Sequence, residues 1–168
     1  MENEEKQKNE KKSDHAGRTL TPDQSELLKF AVQQTKEIFK KLPLLGPVCF
    51  LAMNSPAHRF MFVADFEWRI LPPVVIDQAK VYMRDESPVA FASWAFLSPE
   101  VAARYKQVGK LTPADWKSGD EPWLIDVIAP FGSVEEVVKD LKTNTSLAGK
   151  PTKMLGPKVG SEQGVIEF

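Results

Sequence analysis

Trp123-Leu124-Ile125-Asp126-Val127-Ile128-Ala129-Pro130-Phe131-Gly132 is the stretch on which the reading of this chain turns. It has the composition of a buried strand, apolar on both faces, with one carboxylate in its middle and a Pro-Phe-Gly break at its end. Alternate side chains of a strand point to opposite faces, so 124, 126 and 128 are expected on one face and 123, 125 and 127 on the other. Asp126 is then expected to point with Leu124 and Ile128 into core or the wall of a cleft. Burying an unpaired carboxylate costs several kcal/mol, a large part of a domain's net stability. Asp126 therefore needs a partner or a chemical task.

The rest of the chain narrows the choice. Its 168 residues suit one domain with a sizeable core and a tail. The net charge of −1 gives no basic field for nucleic acid or an anionic membrane. Cys49 is the single cysteine, which excludes an intramolecular disulfide and a cysteine zinc cluster. No apolar run reaches the roughly 20 residues of a membrane span, and Met1 to Arg18 lacks the apolar core of a signal peptide. A cytoplasmic protein is expected.

Residues 1–20 are rich in Glu, Lys, Asn and Gln and are expected to form a disordered charged tail. Thr21-Pro22-Asp23-Gln24 has the pattern of a helix start, and Leu27, Leu28, Ala31, Val32, Ile38 and Phe39 continue it as an apolar stripe expected to pack on its own domain. Leu44 to Met53 is expected to be a second, more buried helix, with Cys49 as a small core side chain. A polar turn, Asn54 to Arg59, leads to a third helical stretch, Phe62 to Ile70, ended by Pro72-Pro73.

Gln78–Arg84 and Val89–Leu97 read as an antiparallel hairpin joined by Asp85-Glu86-Ser87-Pro88, the second strand being apolar on both faces and so central. Ser98-Pro99-Glu100 restarts a helix, Thr112-Pro113-Ala114-Asp115 a capped turn, and Ser133-Val134-Glu135-Glu136 a capping box. Two weak strands are expected near Thr152–Leu155 and Gly164–Phe168. The fold class is mixed α/β (α+β), with a sheet covered by helices on both faces.

Of the two histidines, His15 lies in the charged tail, leaving His58 as the candidate imidazole base. A loop histidine beside an arginine is ordinarily an exposed polar residue, and a strand carboxylate can serve only backbone or arginine donors. Together, however, a buried carboxylate and an imidazole suit each other, because the first sets the tautomer of the second. No phosphate-binding glycine loop, dinucleotide fingerprint or metal motif occurs, so no metal site is expected.

Several ordered blocks carry a family likeness. These are Leu45-Gly46-Pro47-Val48, Asn54-Ser55-Pro56-Ala57-His58-Arg59, Ile70-Leu71-Pro72-Pro73, Arg84 to Ser98, Asp115-Trp116-Lys117-Ser118-Gly119-Asp120, and Trp123 to Gly132. From Gly46 to Gly132 the chain resembles the RTX-toxin-activating lysine acyltransferases, the hemolysin C-like proteins of Gram-negative bacteria. The resemblance implies an N-acetyltransferase-like (GNAT) fold with a mostly antiparallel sheet. It implies transfer of a fatty acyl group from acyl carrier protein, a co-substrate and not a resident cofactor, to internal lysines of an RTX-type protoxin. It places the catalytic pair on His58 and Asp126, with Ser55 in support. Arg59 is a candidate contact for the acidic carrier and Trp94 for the acyl chain.

Relative to the family, residues 21–42 form an added N-terminal helix, 44–142 the family core and 143–168 a shortened C-terminal part, the whole of 21–168 being one domain after the tail. The partners implied are acyl carrier protein, the protoxin and a second copy in a homodimer. Two other readings are a GNAT-like enzyme acylating another amine or protein, and a non-catalytic interaction protein that kept the fold.

Overall fold

A computed structural model describes residues 21–159 and 162–168. The expected tail at residues 1–20, with His15, lies outside the described residues. The chain divides into two compact units, Met1–Lys40 and Lys41–Phe168. The described part of the first is Thr21 and all but the last residue of helix α1, Pro22–Lys41. Its start is a reciprocal cap: the Gln24 N–H donates to Thr21 Oγ1 (3.3 Å) and the Thr21 N–H to Gln24 Oε1 (3.0 Å). No residue of α1 is buried.

The second unit is built on a five-stranded sheet in the order β1-β2-β3-β4-β5. Strands β1 (Ala79–Arg84) and β2 (Ser87–Leu97) form the hairpin. Its turn is shorter than expected. Only Asp85 and Glu86 make it, both with positive φ (48° and 66°), a conformation that matches the twist of paired strands. Ser87 and Pro88 already pair with Arg84 and Met83. Strand β3 (Glu121–Ile128) lies antiparallel to β2. The chain then crosses through α6 (Val134–Asn144) to β4 (Lys153–Val159), parallel to β3, and returns as β5 (Glu162–Glu167). This is the mixed α/β, mostly antiparallel, GNAT-like arrangement.

Helices cover both faces. Against one, α2 (Leu45–Asn54) lays Val48, Leu51 and Ala52 onto Phe91 and Ile128, with Ile70 and Val74 alongside. Farther along that face, Ala95, Leu97 and Trp123 pack with Ala102 and Tyr105 of α5 (Pro99–Val108) and with Trp116. Against the other face, α6 places Val137 and Leu141 on Ala90, Ala92, Trp94 and Leu124. Gly119 lets the chain turn into β3 closely: a Cβ there would lie 2.6 Å from the Leu97 carbonyl oxygen.

Three local expectations are corrected. Cys49 is exposed, because the sheet takes only the 48, 51 and 52 face of α2 and the thiol lies off that stripe. Pro72 and Pro73 do not end a helix. They lie in the first turn of α4 (Leu71–Val75), where backbone N–H groups have no helical partner to lose. The expected stretch before them is a 3₁₀ turn, Val63–Asp65, and a single turn of helix α3, Phe66–Arg69. The capping box at Ser133 does not form: Ser133 has φ 73° and its side chain caps nothing, since the chain enters α6 through two left-handed residues, Gly132 and Ser133.

The register of β3 departs from strict alternation where it matters most, at Asp126. Ser93 lies opposite Asp126, yet Trp94 lies opposite Leu124, so Ile125 is an extra residue and β3 carries a bulge. The strict alternation expected for 123–128 fails there. Leu124 and Val127 face α6, whereas Asp126 and Ile128 join Trp123 on the face covered by α2 and α5. The bulge aims the carboxylate at the end of α2.

Candidate active site

Helix α2 stops at Ser55, whose extended backbone (φ −92°, ψ 120°) turns the chain away from the helix axis. The Ser55 carbonyl accepts the N–H groups of His58 (3.0 Å) and Arg59 (2.9 Å), and the His58 carbonyl accepts that of Met61 (2.9 Å). Met61 packs against the cluster that holds α2 on the sheet. Two consecutive turns, fastened at both ends to core, thus fix the His58 ring above β3.

There His58 Nε2 lies 3.1 Å from Asp126 Oδ1, and His58 Nδ1 lies 2.8 Å from Ser55 Oγ. An ionised carboxylate only accepts, so Nε2 carries the imidazole proton toward Asp126 and Nδ1 is left with its lone pair facing the serine hydroxyl. The side chains of His58 and Asp126 are only 10% and 5% exposed, so solvent has little access to the pair. Arg69, the last residue of α3, closes on the carboxylate from the other side: Nη2 donates to Oδ1 (2.7 Å) and Nε to Oδ2 (2.5 Å). Burial pushes the Asp126 carboxyl upward, but the hydrogen bonds from His58 and Arg69 outweigh it and hold the group below its ordinary value. The same contact raises Arg69. Asp126 is therefore an anion, and both of its oxygens are engaged.

Beside Arg69 opens a cleft of about 220 Å³, walled chiefly by Trp68, Tyr105, Leu111, Trp116 and Ile125. Strands β3 and β4 pair only at Trp123–Lys153 and Leu124–Met154, and past that point Ile125 and Leu155 both border the cleft. Ser93 Oγ is fully buried and has no hydrogen-bond partner among the described residues, although its strand position faces Asp126. Among the described residues no three His, Cys, Asp or Glu side chains are grouped to hold a metal ion.

His58, Asp126 and Ser55 are thus brought together. Arg59 and Trp94 are not part of the cluster. Arg59 is exposed, with its guanidinium 5.7 Å from the Phe60 ring centre. Trp94 is buried on the α6 side of the sheet, and its indole N–H donates to Ser146 Oγ (2.9 Å). Arg69 is the residue that the sequence reading missed. It belongs to no motif and lies 57 positions from its partner; the one signal was the demand of a buried carboxylate for donors.

The chain matches the model of the HlyC RTX toxin acyltransferase family over residues 37–167, a span that holds Ser55, His58, Arg69 and Asp126. It belongs to that family. The lysine-acyltransferase RtxC of Vibrio cholerae serotype O1 is 35% identical over 127 residues, 74% of this chain and 79% of that protein. The RTX-III toxin-activating lysine-acyltransferase ApxIIC of Actinobacillus pleuropneumoniae is 43% identical over 101 residues, 60% of this chain and 58% of its own length. The protein-lysine myristoyltransferase HlyC of Escherichia coli is 45% identical over 96 residues, covering 56% of each chain. For these last two the chain spans rather more than half the relative's length. No helix among the described residues is long and apolar enough to cross a membrane.

Proposed function

We propose that this protein is a bacterial, cytoplasmic lysine acyltransferase that moves a fatty acyl group from acyl carrier protein to the ε-amino group of internal lysines of an RTX-type protoxin, thereby activating it. The observation that carries the proposal is the unbroken hydrogen-bond chain from Ser55 through His58 to Asp126. A lysine ammonium has a pKa near 10.4 and must lose a proton before it attacks a thioester. That first proton goes to solvent; His58 is the general base for the second, receiving at Nδ1 the proton the amine nitrogen sheds as it attacks, while Asp126 orients the ring and stabilises the imidazolium. As the C–N bond forms and the C–S bond breaks, the carrier's thiolate leaves and takes the proton back from the imidazolium. Ser55, whose hydroxyl stands at Nδ1, either relays the amine proton or yields its place to the amine.

The carrier-protein donor is favoured over coenzyme A by the start of α6. A pyrophosphate site normally uses a glycine-rich loop and the positive end of a helix. Here that turn holds Glu135 and Glu136. Arg59, exposed next to His58, is a basic contact for an acidic carrier. The test is incubation with acyl-loaded carrier protein and a candidate protoxin, with lysine mass shifts as the readout. Wild type is expected to give fatty-acyl lysines and His58→Ala none. Undiminished transfer by His58→Ala would remove the general-base role, and transfer only from acyl-coenzyme A would replace the donor.

A further inference from the structure

We propose that Arg69 is a positioning residue of this acyl-transfer centre: its fork fixes both oxygens of Asp126 and so holds in place the carboxylate that orients the His58 imidazole. The inference rests on the acyltransferase reading for its meaning, though not for its geometry.

An imidazole is oriented only as well as the carboxylate that accepts its N–H. Arg69 fixes that carboxylate. Its Nη2 shares Oδ1 with His58 Nε2, while its Nε takes Oδ2, so a full positive charge sits on the far side of the same carboxylate. Two parallel N–H bonds also prevent the carboxylate plane from rotating, which a lysine's point charge does not do.

The fork is itself held. The Trp68 carbonyl accepts the Trp116 indole N–H (3.2 Å), and the Trp68 indole donates to Asp65 Oδ1 (3.1 Å). Ile70, on the other side of Arg69, is fully buried. Other ionisable groups stand near the pair. Tyr105 of α5 acts on both Asp126 and Arg69, and burial pushes its phenol upward, so it stays neutral. Asp65 acts on Arg69 and is tied to the Trp68 indole and the Phe62 N–H. Ser55 is neutral, and Arg59 is exposed.

The chain has two histidines, so His15→Gln leaves His58 as the single imidazole for ¹⁵N-histidine NMR of the full-length protein. In that background the ring is expected to show the tautomer with its proton on Nε2, facing Asp126, and Arg69→Gln is expected to mix the two tautomers as the carboxylate loses its fork. Arg69→Lys is expected to mix them as well and to lower kcat several-fold with KM little changed, because charge is kept and the fork is lost. A folded Arg69→Gln protein with the tautomer of wild type overturns the proposal. If Arg69→Gln does not fold, Arg69→Lys decides: an unchanged kcat overturns the positioning role. The NMR measurement needs no acyl donor. A wild-type protein that fails to acylate a protoxin therefore sinks the functional reading without touching this result.

Discussion

Asp126→Asn is the sharpest perturbation of this site, because it changes one oxygen to a nitrogen and leaves the volume alone. In the wild type, Oδ1 accepts from His58 Nε2 and Arg69 Nη2, and Oδ2 from Arg69 Nε. An amide keeps one acceptor and presents an N–H₂ group to the other donor, so whichever way it flips, donor meets donor. Arg69 loses its counter-charge. Breaking a buried ion pair by removing one partner costs about 3–5 kcal/mol. Arg69 is 31% exposed, so water recovers part of that and the lower end, about 3 kcal/mol, is expected. For a domain of this size that loss lowers Tm by about 10 °C.

The pH dependence follows from the direction of the Asp126 shift. Its carboxyl is held below the ordinary value of 3.8 in the folded chain, so its contribution is complete above that pH and is lost as pH falls through the folded value. The stability gap between wild type and Asp126→Asn is therefore expected to be constant above about pH 5 and to close below about pH 3.8. Thermal unfolding followed by circular dichroism at a series of pH values measures both effects. Acyl transfer is expected to fall by about 10⁴-fold through loss of the correct tautomer. A Tm within about 2 °C of wild type at neutral pH, or a gap that widens on acidification, would refute the account of Asp126 as a paired, buried anion.

Gly119→Ala places a Cβ 2.6 Å from the Leu97 oxygen and from backbone atoms of Ser98, none of which can yield like a side chain. A loss of about 2 kcal/mol or more in urea unfolding is expected, with the β3 entry as the part that gives way. Cys49 is exposed on α2, so a thiol reagent is expected to label the native protein as fast as a small exposed thiol allows. Labelling that waits on unfolding would return Cys49 to the core.

Much of the fold is legible in the residues because it rests on local chemistry. The Thr21 cap, the Ser98 start of α5 and the polar hairpin link that begins at Asp85 between two apolar runs each depend on neighbours a few positions apart. Uniformly apolar segments are less legible. Helix α2 is apolar nearly all round, so only the sheet decides that 48, 51 and 52 are core and that Cys49 is not. Ser133 reads as a cap by type, yet the left-handed entry to α6 turns its side chain from the task.

The residues alone required a partner for Asp126 and offered a single imidazole in the family core to fill the role. The family blocks named the same pair. Tertiary structure decided how they meet. The bulge at Ile125 turns Asp126 to the α2 side, a register choice made by pairing with Ser93 and Trp94. Arg69 arrives from a short helix far along the chain, because α3 is held by Trp116 and Ile70 and not by any local pattern. Period-two alternation and spacing are properties of a segment and can be read along it. A shift of register and a long-range ion pair are properties of what packs beside the segment, and they exist only once the chain has folded.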